Sequence, residues 1–328
     1  GSNFVRFILR RHTDWHIVCY DALTYAGNVD SLRDVWDLPN FTFVRGDICD
    51  GASVQHALEG GADAIVNFAA ESHVDRSILD ASPFIRTNIL GTEVLLEAVR
   101  RLGVPRYVQI STDEVYGQLG DESLFTEQTP ISPNSPYSAS KASADLLCLA
   151  QYRTNKTPIV ITRGSNNYGP YQFPEKLIPL VITNALEDKP VPIYGSGHQV
   201  RDWLYVEDFC SAIELVLLKG RLGEAYNVGA SCEKRNIELV GDILDILSRP
   251  RSLITHVSDR LGHDFRYAVD STKLRTELGW RPSRKYEEAL AATVRWYLDN
   301  EAWWRKIKEG GDYHAFYAKQ YGAQRTSG

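Results

Sequence analysis

The chain has 328 residues, of which 43% are hydrophobic and 24% charged, and its formal net charge is −6. This composition is typical of a protein with a buried core, and the length accommodates about two domains. A negative net charge offers no basic surplus for phosphate backbones, so nucleic acid is not an expected partner. The sequence has no apolar run of about 18 residues, as a membrane span would require, so no membrane partner is expected.

Short apolar runs alternate with helical patterns through the first half of the chain. An amphipathic segment that includes Phe4 and Ile8 comes first, and long helices are predicted over 83–101 and 137–153. Buried strands are predicted at 17–20, 41–44, 64–68, 107–110 and 158–161. This alternation favours an α/β fold with a doubly wound, Rossmann-like parallel sheet that carries helices on both faces.

Beyond about Thr162 the chain is less regular, with loops rich in Asn, Gly, Pro and Tyr. Further helices are predicted over 236–247 and 286–300. We expect a smaller α/β domain here that covers the carboxyl ends of the strands. The predicted division is a dinucleotide-binding domain over 1–163, with chain returns near 190–230, and a mainly substrate-binding domain over 164–328.

Five cysteines are far apart in the chain and form no CxxC pair. This pattern is typical of reduced thiols in a cytoplasmic protein, and it argues against a disulfide framework and against a metal site. We therefore expect a cytoplasmic protein without a bound metal.

Asp21 follows an apolar run, at the point where an acid of a dinucleotide fold accepts hydrogen bonds from the adenosine ribose. A carboxylate there repels a 2′-phosphate, which favours NAD over NADP. The alternative is an ordinary surface-loop acid. A glycine loop is expected about 20 residues earlier, and Gly1 stands at that distance before a helical pattern. Since the sequence contains no methionine, we expect the first strand and the rest of the glycine loop to be missing before Gly1.

Tyr137 and Lys141 are four residues apart and therefore share one face of the predicted helix. An ammonium close to a phenol lowers the pKa of the tyrosine, so Tyr137 is expected to act as a general base on an alcohol. A YxxxK pattern on a solvated helix is the competing interpretation. Ser111 and Thr112 end a predicted strand upstream of this pair. This Ser/Thr, Tyr and Lys set resembles the extended short-chain dehydrogenase/reductase superfamily.

Asp113 and Glu114 directly follow Thr112. A simple alcohol dehydrogenase or epimerase needs no further acid and base at this place. A reaction that also removes a proton and expels hydroxide needs both. The pair therefore favours an elimination, with a surface acid pair as the alternative.

Six motifs in order along the chain resemble those of dTDP-glucose 4,6-dehydratases. They are Ala69–Ser77, Ser111–Gly117, Ser165–Pro170, Pro174–Pro179, Val200–Trp203 and Asp259–Asp264. The resemblance covers the chain from Gly1 to about Trp304. It implies a lyase that acts on a nucleotide sugar with tightly held NAD, and it implies a homodimer formed through a helix pair.

The resemblance also assigns residues to roles. The implied catalytic residues are Thr112, Asp113, Glu114, Tyr137 and Lys141. The implied cofactor-binding residues are Gly1, Asp21, Ala22, Leu23, Thr24, Asp47, Ile48, Phe68, Ala69, Ala70, Ser72, Thr87, Tyr137, Lys141 and Asn167. The implied substrate-binding residues are Ser72, Thr112, Asn166, Lys176, Leu177, Arg201, Asn227, Arg260 and His263. Arg201 and Arg260 fit a diphosphate because guanidinium forks bind phosphate oxygens in pairs.

The expected reaction converts dTDP-glucose to dTDP-4-keto-6-deoxyglucose. It proceeds by oxidation at C4, loss of water across C5 and C6, and return of the hydride to C6. The alternatives are another NAD-dependent nucleotide-sugar dehydratase, a 4-epimerase, a decarboxylase or a non-catalytic NAD-binding protein. The Asp113–Glu114 pair argues against an epimerase, and the choice of nucleotide depends on the resemblance.

Overall fold

The computed structural model describes residues 1–322, so the end of the predicted second domain lies outside the described residues. The strands are β1 (Ile17–Asp21), β2 (Phe41–Arg45), β3 (Ile65–Asn67), β4 (Tyr107–Thr112), β5 (Ile159–Gly164), β6 (Asn166–Tyr168), β7 (Val191–Tyr194), β8 (Val200–Tyr205), β9 (Ala225–Val228), β10 (Glu233–Arg235) and β11 (Ile254–Val257). The helices are α1 (Ser2–Arg11), α2 (Gly51–Ala57), α3 (Val74–Leu79), α4 (Ser82–Phe84), α5 (Gly91–Leu102), α6 (Pro136–Asn155), α7 (Leu177–Leu186), α8 (Val206–Lys219), α9 (Asn236–Ile246), α10 (Thr272–Leu278), α11 (Tyr286–Asp299), α12 (Glu301–Lys308) and α13 (Gly311–Tyr317). In this described part of the chain, no helix is both long and apolar enough to cross a membrane.

Parallel strands form the main sheet in the order β3-β4-β5-β9, and β1 and β2 form a second parallel pair. Every residue of β5 is buried, as expected for a strand with helices on both faces. The α/β prediction of a doubly wound parallel fold is confirmed, and all five predicted strands are present with ends that differ by a few residues.

Alternation of side chains along β5 explains why both faces of the sheet are covered. Ile159 and Ile161 pack on one side against a cluster that includes Leu96 of α5 and Cys148 of α6. Val160 points to the other side and packs with α1 and α8, for example against Ile213. Successive residues of a strand face opposite ways, and burial of each such side chain contributes about 1.5–3 kcal/mol.

The second half of the chain builds two smaller sheets, β10-β8-β6 and β11-β7. Helices α7, α9 and α11 pack around them in a separate cluster that includes Trp203, Leu239 and Trp304. The chain also returns to the main sheet, because β9 pairs with β5. Strand β6 begins two residues after Gly164 ends β5, and Gly164 is the register partner of Thr112 at the end of β4.

The two predicted long helices are present and lie beside each other. The first begins as α4, continues through a π-helical turn at Ile85–Leu90 and ends as α5. The second is α6, whose first turn is held by a capping box between Ser135 and Ser138, with Pro136 in the first turn. These features define where α6 begins, and they place Tyr137 in its first turn.

Candidate active site

A tight turn at the end of β4 carries Asp113 and Glu114. Thr112 caps this 3-10 turn, and its hydroxyl accepts a hydrogen bond from the Glu114 amide at 3.3 Å. Gly117 ends the turn with φ of 85°, and a Cβ there would lie 2.2 Å from the Ser132 carbonyl oxygen. Only glycine fits this backbone conformation and close approach, so the two carboxylates are presented from a well-defined turn.

Asp113 is almost completely buried, with 1% of its surface exposed. Its Oδ1 accepts a hydrogen bond from the Thr112 hydroxyl at 3.2 Å, and its Oδ2 has no hydrogen-bond partner. Burial, together with repulsion from Glu114 and Asp202, raises the pKa of Asp113 well above its ordinary value. Because burial disfavours the charged form, this carboxyl is suited to hold a proton near neutral pH.

Glu114 lies in a different electrostatic environment from its neighbour. Burial raises the pKa of Glu114, but the positive charges of Arg201, Arg260 and Lys176 oppose this shift. Opposite charges favour the ionised form of a carboxyl group. Glu114 is therefore the member of the pair that is better able to act as a base.

Tyr137 lies close to this pair at the start of α6. It is 8% exposed, and its ring meets Phe84 edge-on with 6.3 Å between the ring centroids. One turn later, the Lys141 ammonium donates a hydrogen bond to the Ile110 carbonyl at 2.6 Å. The structure thus brings the predicted phenol and ammonium to the end of β4.

The sequence predicts a lowered pKa for Tyr137, and in the unliganded protein this prediction is wrong. Burial raises the pKa of Tyr137, and repulsion from Glu114 adds to this, with partial compensation from the Thr112 hydroxyl. Burial also lowers the pKa of Lys141, which the Asp145 carboxylate opposes. Helical spacing alone did not reveal how strongly both groups are desolvated.

Positive side chains from three segments face Glu114. Lys176 precedes α7, and its ammonium donates to the Ser72 carbonyl at 2.7 Å. Leu177 begins α7 and is partly buried against the core of the second half. Arg201 lies on β8 and Arg260 in the loop after β11. This convergence surrounds the Glu114 carboxylate with positive charge.

The guanidinium groups near Glu114 have fewer unused hydrogen-bond donors than we expected from the sequence. Arg201 donates from Nη1 to the carbonyl oxygens of Val200 and Phe265, at 2.7 and 3.2 Å. Its Nη2 donates to the Asp264 carbonyl at 2.9 Å. The protein therefore fixes the position of this charge with its own carbonyl groups, which leaves fewer donors for a ligand.

Arg260 is also held by a residue that the sequence analysis did not assign. Its Nε lies 2.6 Å from Oδ1 of Asp75, whose side chain is 3% exposed. Tyr194 donates to the other Asp75 oxygen at 2.9 Å. Asp75 lies within the Ala69–Ser77 motif. An acid in that motif was the feature of the sequence that could have indicated a partner for Arg260.

His263 is neutral at physiological pH in this environment. Burial, together with the charges of Arg260 and Arg201, lowers the pKa of His263 to about 4, against the opposing effect of Asp259. Its Nδ1 lies 2.6 Å from Oδ1 of Asp259. His263 is therefore suited to act as a hydrogen-bonding group and not as a cation.

Asn227, a predicted substrate-binding residue, is hydrogen-bonded inside the protein. It is 0% exposed. Its Oδ1 accepts from the Tyr116 hydroxyl at 2.7 Å, and its Nδ2 donates to the Phe125 carbonyl at 3.0 Å. Both ends of the amide are thus engaged inside the protein, and the substrate-binding role of Asn227 stays a prediction.

The predicted cofactor residues follow the carboxyl ends of the strands. Asp21 ends β1, and its Oδ1 accepts from the Leu23 amide at 2.7 Å. Asp47 follows β2, and a backbone hydrogen bond from Cys49 lowers the pKa of its carboxyl. The remaining members lie after β1, after β2, after β3 or in the π-helical turn: Ala22, Thr24, Ile48, Ala69, Ala70 and Thr87.

Gly1, Phe68 and Asn167 are further predicted cofactor residues. A Cβ placed on Gly1 would lie 3.9 Å from the Cβ of Phe68, so these two predicted cofactor residues are adjacent. On β6, Asn167 donates to the Ser165 carbonyl at 2.9 Å, whereas its buried Oδ1 has no partner. Asn166 lies beside it on the same strand. A buried acceptor of this kind is suited to a ligand amide.

The chain is similar to known proteins in sequence and fold. A family model described as GDP-mannose 4,6 dehydratase matches residues 1–293. The dTDP-glucose 4,6-dehydratase of Streptomyces niveus is 52% identical over 94% of this chain and 92% of its own length. The chain belongs to the dTDP-glucose 4,6-dehydratase family. Another member, from Salmonella typhimurium, is 48% identical over 98% of this chain and 96% of its own length.

Solved structures of the dTDP-glucose 4,6-dehydratase family share the fold. The Streptomyces venezuelae enzyme, crystallised with NAD and TYD bound, has a TM-score of 0.91 and 48% identity, over 94% of this chain and 96% of that one. The Bacillus anthracis enzyme in complex with NAD has a TM-score of 0.89 and 49% identity, with the same coverage of both chains. A Thermus thermophilus UDP-glucose 4-epimerase has a TM-score of 0.85 at only 27% identity, over 92% of this chain and 96% of that one. Fold alone therefore does not separate the two activities.

Proposed function

We propose that this protein converts dTDP-glucose to dTDP-4-keto-6-deoxyglucose with NAD as cofactor. The observation that carries the proposal is the difference in environment between Asp113 and Glu114. Burial and neighbouring carboxylates raise the pKa of Asp113 well above its ordinary value, whereas three cations oppose the rise in the pKa of Glu114. An elimination needs such an acid and base close together, whereas a 4-epimerase does not.

The residues of the cleft fit NAD. In this proposal Asp21, which ends β1, accepts hydrogen bonds from the ribose, and the unpartnered Oδ1 of Asn167 accepts one from the nicotinamide amide. Ser111 adds another buried hydroxyl without a partner at the end of β4. When bound, NAD accepts the hydride from C4 of the sugar and returns it to C6, so that one turnover leaves it unchanged.

In the oxidation, Tyr137 takes the proton of the sugar 4-hydroxyl. Its pKa is raised by burial, so the phenolate has to be stabilised by positive charge in the loaded site, to which Lys141 contributes. Thr112 donates a hydrogen bond to the oxygen that becomes the 4-ketone. These roles place all three side chains around one substrate oxygen.

The ketone acidifies the proton at C5, which permits the elimination. Glu114 removes this proton, because Arg201, Arg260 and Lys176 favour its ionised form. Asp113 gives its proton to the departing 6-hydroxyl, and water leaves. The bonds broken are C5–H and C6–O. The C5–C6 double bond formed is then reduced by return of the hydride to C6 and of the proton held by Glu114 to C5.

The nucleotide and diphosphate are proposed to lie along the positive side of the cleft. Arg201, Arg260 and Lys176 supply the charge, and His263 supplies a neutral hydrogen-bonding group. Ser72, Asn166 and Leu177 line the same region in the proposal. Asn227, which is hydrogen-bonded to Tyr116 beside this region, is kept as a proposed substrate-binding residue.

Incubation of the protein with dTDP-glucose and NAD tests the proposal. The 4-keto product absorbs in alkali, so its appearance is followed directly by spectroscopy. UDP-glucose and UDP-galactose serve as parallel substrates. Dehydration of dTDP-glucose supports the proposal, whereas turnover of a UDP-sugar alone contradicts it.

We further propose that the protein is a cytoplasmic homodimer. The five thiols are all free, which agrees with a reducing compartment. Apolar side chains face outward from the two long helices, for example Ile85 at 56% and Leu146 at 54% exposure, with Leu90 on the same helix pair at 47%. Pairing of this helix face with that of a second copy would bury them.

A further inference from the structure

A buried chain of polar groups joins the two elements that carry the predicted catalytic side chains. On α6, Asp145 follows Lys141 by one turn, and its Oδ2 accepts from Nε of Arg163 on β5 at 2.8 Å. The same guanidinium donates from Nη1 to the Tyr116 hydroxyl at 2.8 Å. Tyr116 in turn donates to Asn227 Oδ1 at 2.7 Å. We call these residues, Asp145, Arg163, Tyr116 and Asn227, the Tyr116 network.

Stability by itself is a weak reason for such a network. Its members are between 0% and 3% exposed. Removing an ion pair from water is costly, and well-packed apolar side chains often stabilise a core equally well. The Oδ1 atom of Asp145 also has no hydrogen-bond partner. A buried pair that is costly in this way is better explained by the geometry it enforces.

That geometry concerns the two halves of the reaction. Tyr116 lies in the same 3-10 turn as Asp113 and Glu114. Asp145 lies on the same helix as Tyr137. Each hydrogen bond of the network has a donor–acceptor distance of 2.7–2.8 Å, so the turn and the helix are tied through the Arg163 guanidinium, whose planar fork fixes the direction of both partners.

We propose that the Tyr116 network is a positioning device, which holds the Asp113–Glu114 turn in register with Tyr137 on α6. This inference rests on the proposed dehydration. Oxidation at C4 depends on Tyr137, whereas elimination across C5 and C6 depends on the turn. A shift of the turn therefore slows elimination more than oxidation. The network also keeps a negative charge near Lys141, since Asp145 opposes the lowering of its pKa by burial.

The variant Tyr116→Phe tests the proposal, because it removes one hydroxyl from the centre of the network and keeps the ring. We expect elimination to slow about tenfold or more, as for other small misplacements of reacting groups. Reduction of bound NAD by dTDP-glucose should remain near the wild-type rate, so reduced cofactor accumulates during turnover. Stopped-flow absorbance of reduced cofactor and formation of the keto product separate the two steps.

Tyr107→Phe is the matched control. Tyr107 is also a fully buried tyrosine that lies outside the network. Its hydroxyl donates a hydrogen bond to Gln109 Oε1 at 2.6 Å and accepts one from Asn67 Nδ2 at 3.0 Å. A merely structural role predicts equal losses in both variants. The positioning role predicts accumulation of reduced cofactor only in Tyr116→Phe, at matched thermal stability.

Arg163→Lys provides a second test if Tyr116→Phe does not fold. Lysine keeps the charge that balances Asp145, but it cannot fork between Asp145 and Tyr116. As in Tyr116→Phe, we expect slower elimination, cofactor reduction near the wild-type rate and accumulation of reduced cofactor. The proposal is overturned if folded variants dehydrate like Tyr107→Phe, if both steps fall equally, or if neither variant folds. If the wild-type protein does not dehydrate dTDP-glucose, the proposed function fails instead.

Discussion

Asp113 and Glu114 are neighbours in one turn, yet different groups surround their carboxyls. At Asp113, two further carboxylates, Glu114 and Asp202, add to the effect of burial on its pKa. At Glu114, Arg201 and two other cations oppose burial. Differences of this kind commonly separate a catalytic acid from a catalytic base.

The variants Asp113→Asn and Glu114→Gln should slow elimination and leave oxidation intact. Each substitution, Asp113→Asn or Glu114→Gln, removes one proton-transfer group, which is worth roughly 10²–10⁴-fold in rate. Reduced cofactor should form from dTDP-glucose at nearly the wild-type rate in both variants. Full-rate dehydration by the double variant would contradict these roles, and circular dichroism checks that each variant is folded.

Tyr137→Phe should lose the initial oxidation. Without the phenol, no group takes the proton of the 4-hydroxyl, so we expect a decrease of roughly 10²–10⁴-fold in cofactor reduction. Binding of the nucleotide diphosphate, measured by calorimetry, should change little because its proposed contacts lie elsewhere. Unimpaired cofactor reduction would show that another group is the base.

The elimination rate should depend on pH through both carboxyls. Glu114 has to be ionised, so the rate falls on the acid side, and Asp113 has to be protonated, so it falls on the alkaline side. Because burial raises the pKa of Asp113 well above its ordinary value, the alkaline limb lies far above the usual range of aspartate. Asp113→Asn should abolish that limb and keep the acid limb, as measured by single-turnover kinetics over pH.

The buried His263 should make the protein less stable in acid. Its pKa is about 4 in the folded protein and about 6.5 when unfolded. The unfolded chain therefore binds a proton first as the pH falls, and stability is lost between these two values. The loss amounts to at most about 3 kcal/mol. In His263→Gln, the denaturant midpoint of unfolding should depend less on pH over this window. An unchanged dependence on pH would contradict the lowered pKa of His263.

Charges on the outer face of the helix pair should dissociate the proposed dimer. Leu146→Glu and Ile85→Glu place carboxylates where two apolar surfaces would meet, and buried unpaired charges are costly. Sedimentation velocity should show monomers. Leu218→Glu, at a leucine of α8 that is 47% exposed, is the control and should stay dimeric. A wild-type monomer would refute the proposal directly.

Local patterns were sufficient to predict the elements around the site. Apolar runs predicted the parallel strands, because strands covered on both faces need apolar residues throughout. The spacing of Tyr137 and Lys141 predicted a shared helix face, since residues four apart are neighbours on a helix. The motifs likewise indicated the family, to which the chain belongs.

Tertiary structure decided how each of these side chains is charged and held. Asp75 and Arg260 are 185 residues apart in sequence, so no local pattern could pair them. Desolvation determined that Tyr137 has a raised pKa, and packing turned Asn227 inward. The sequence determined which residues are present and which elements carry them. Burial and long-range neighbours, which arise only on folding, determined their protonation and their partners.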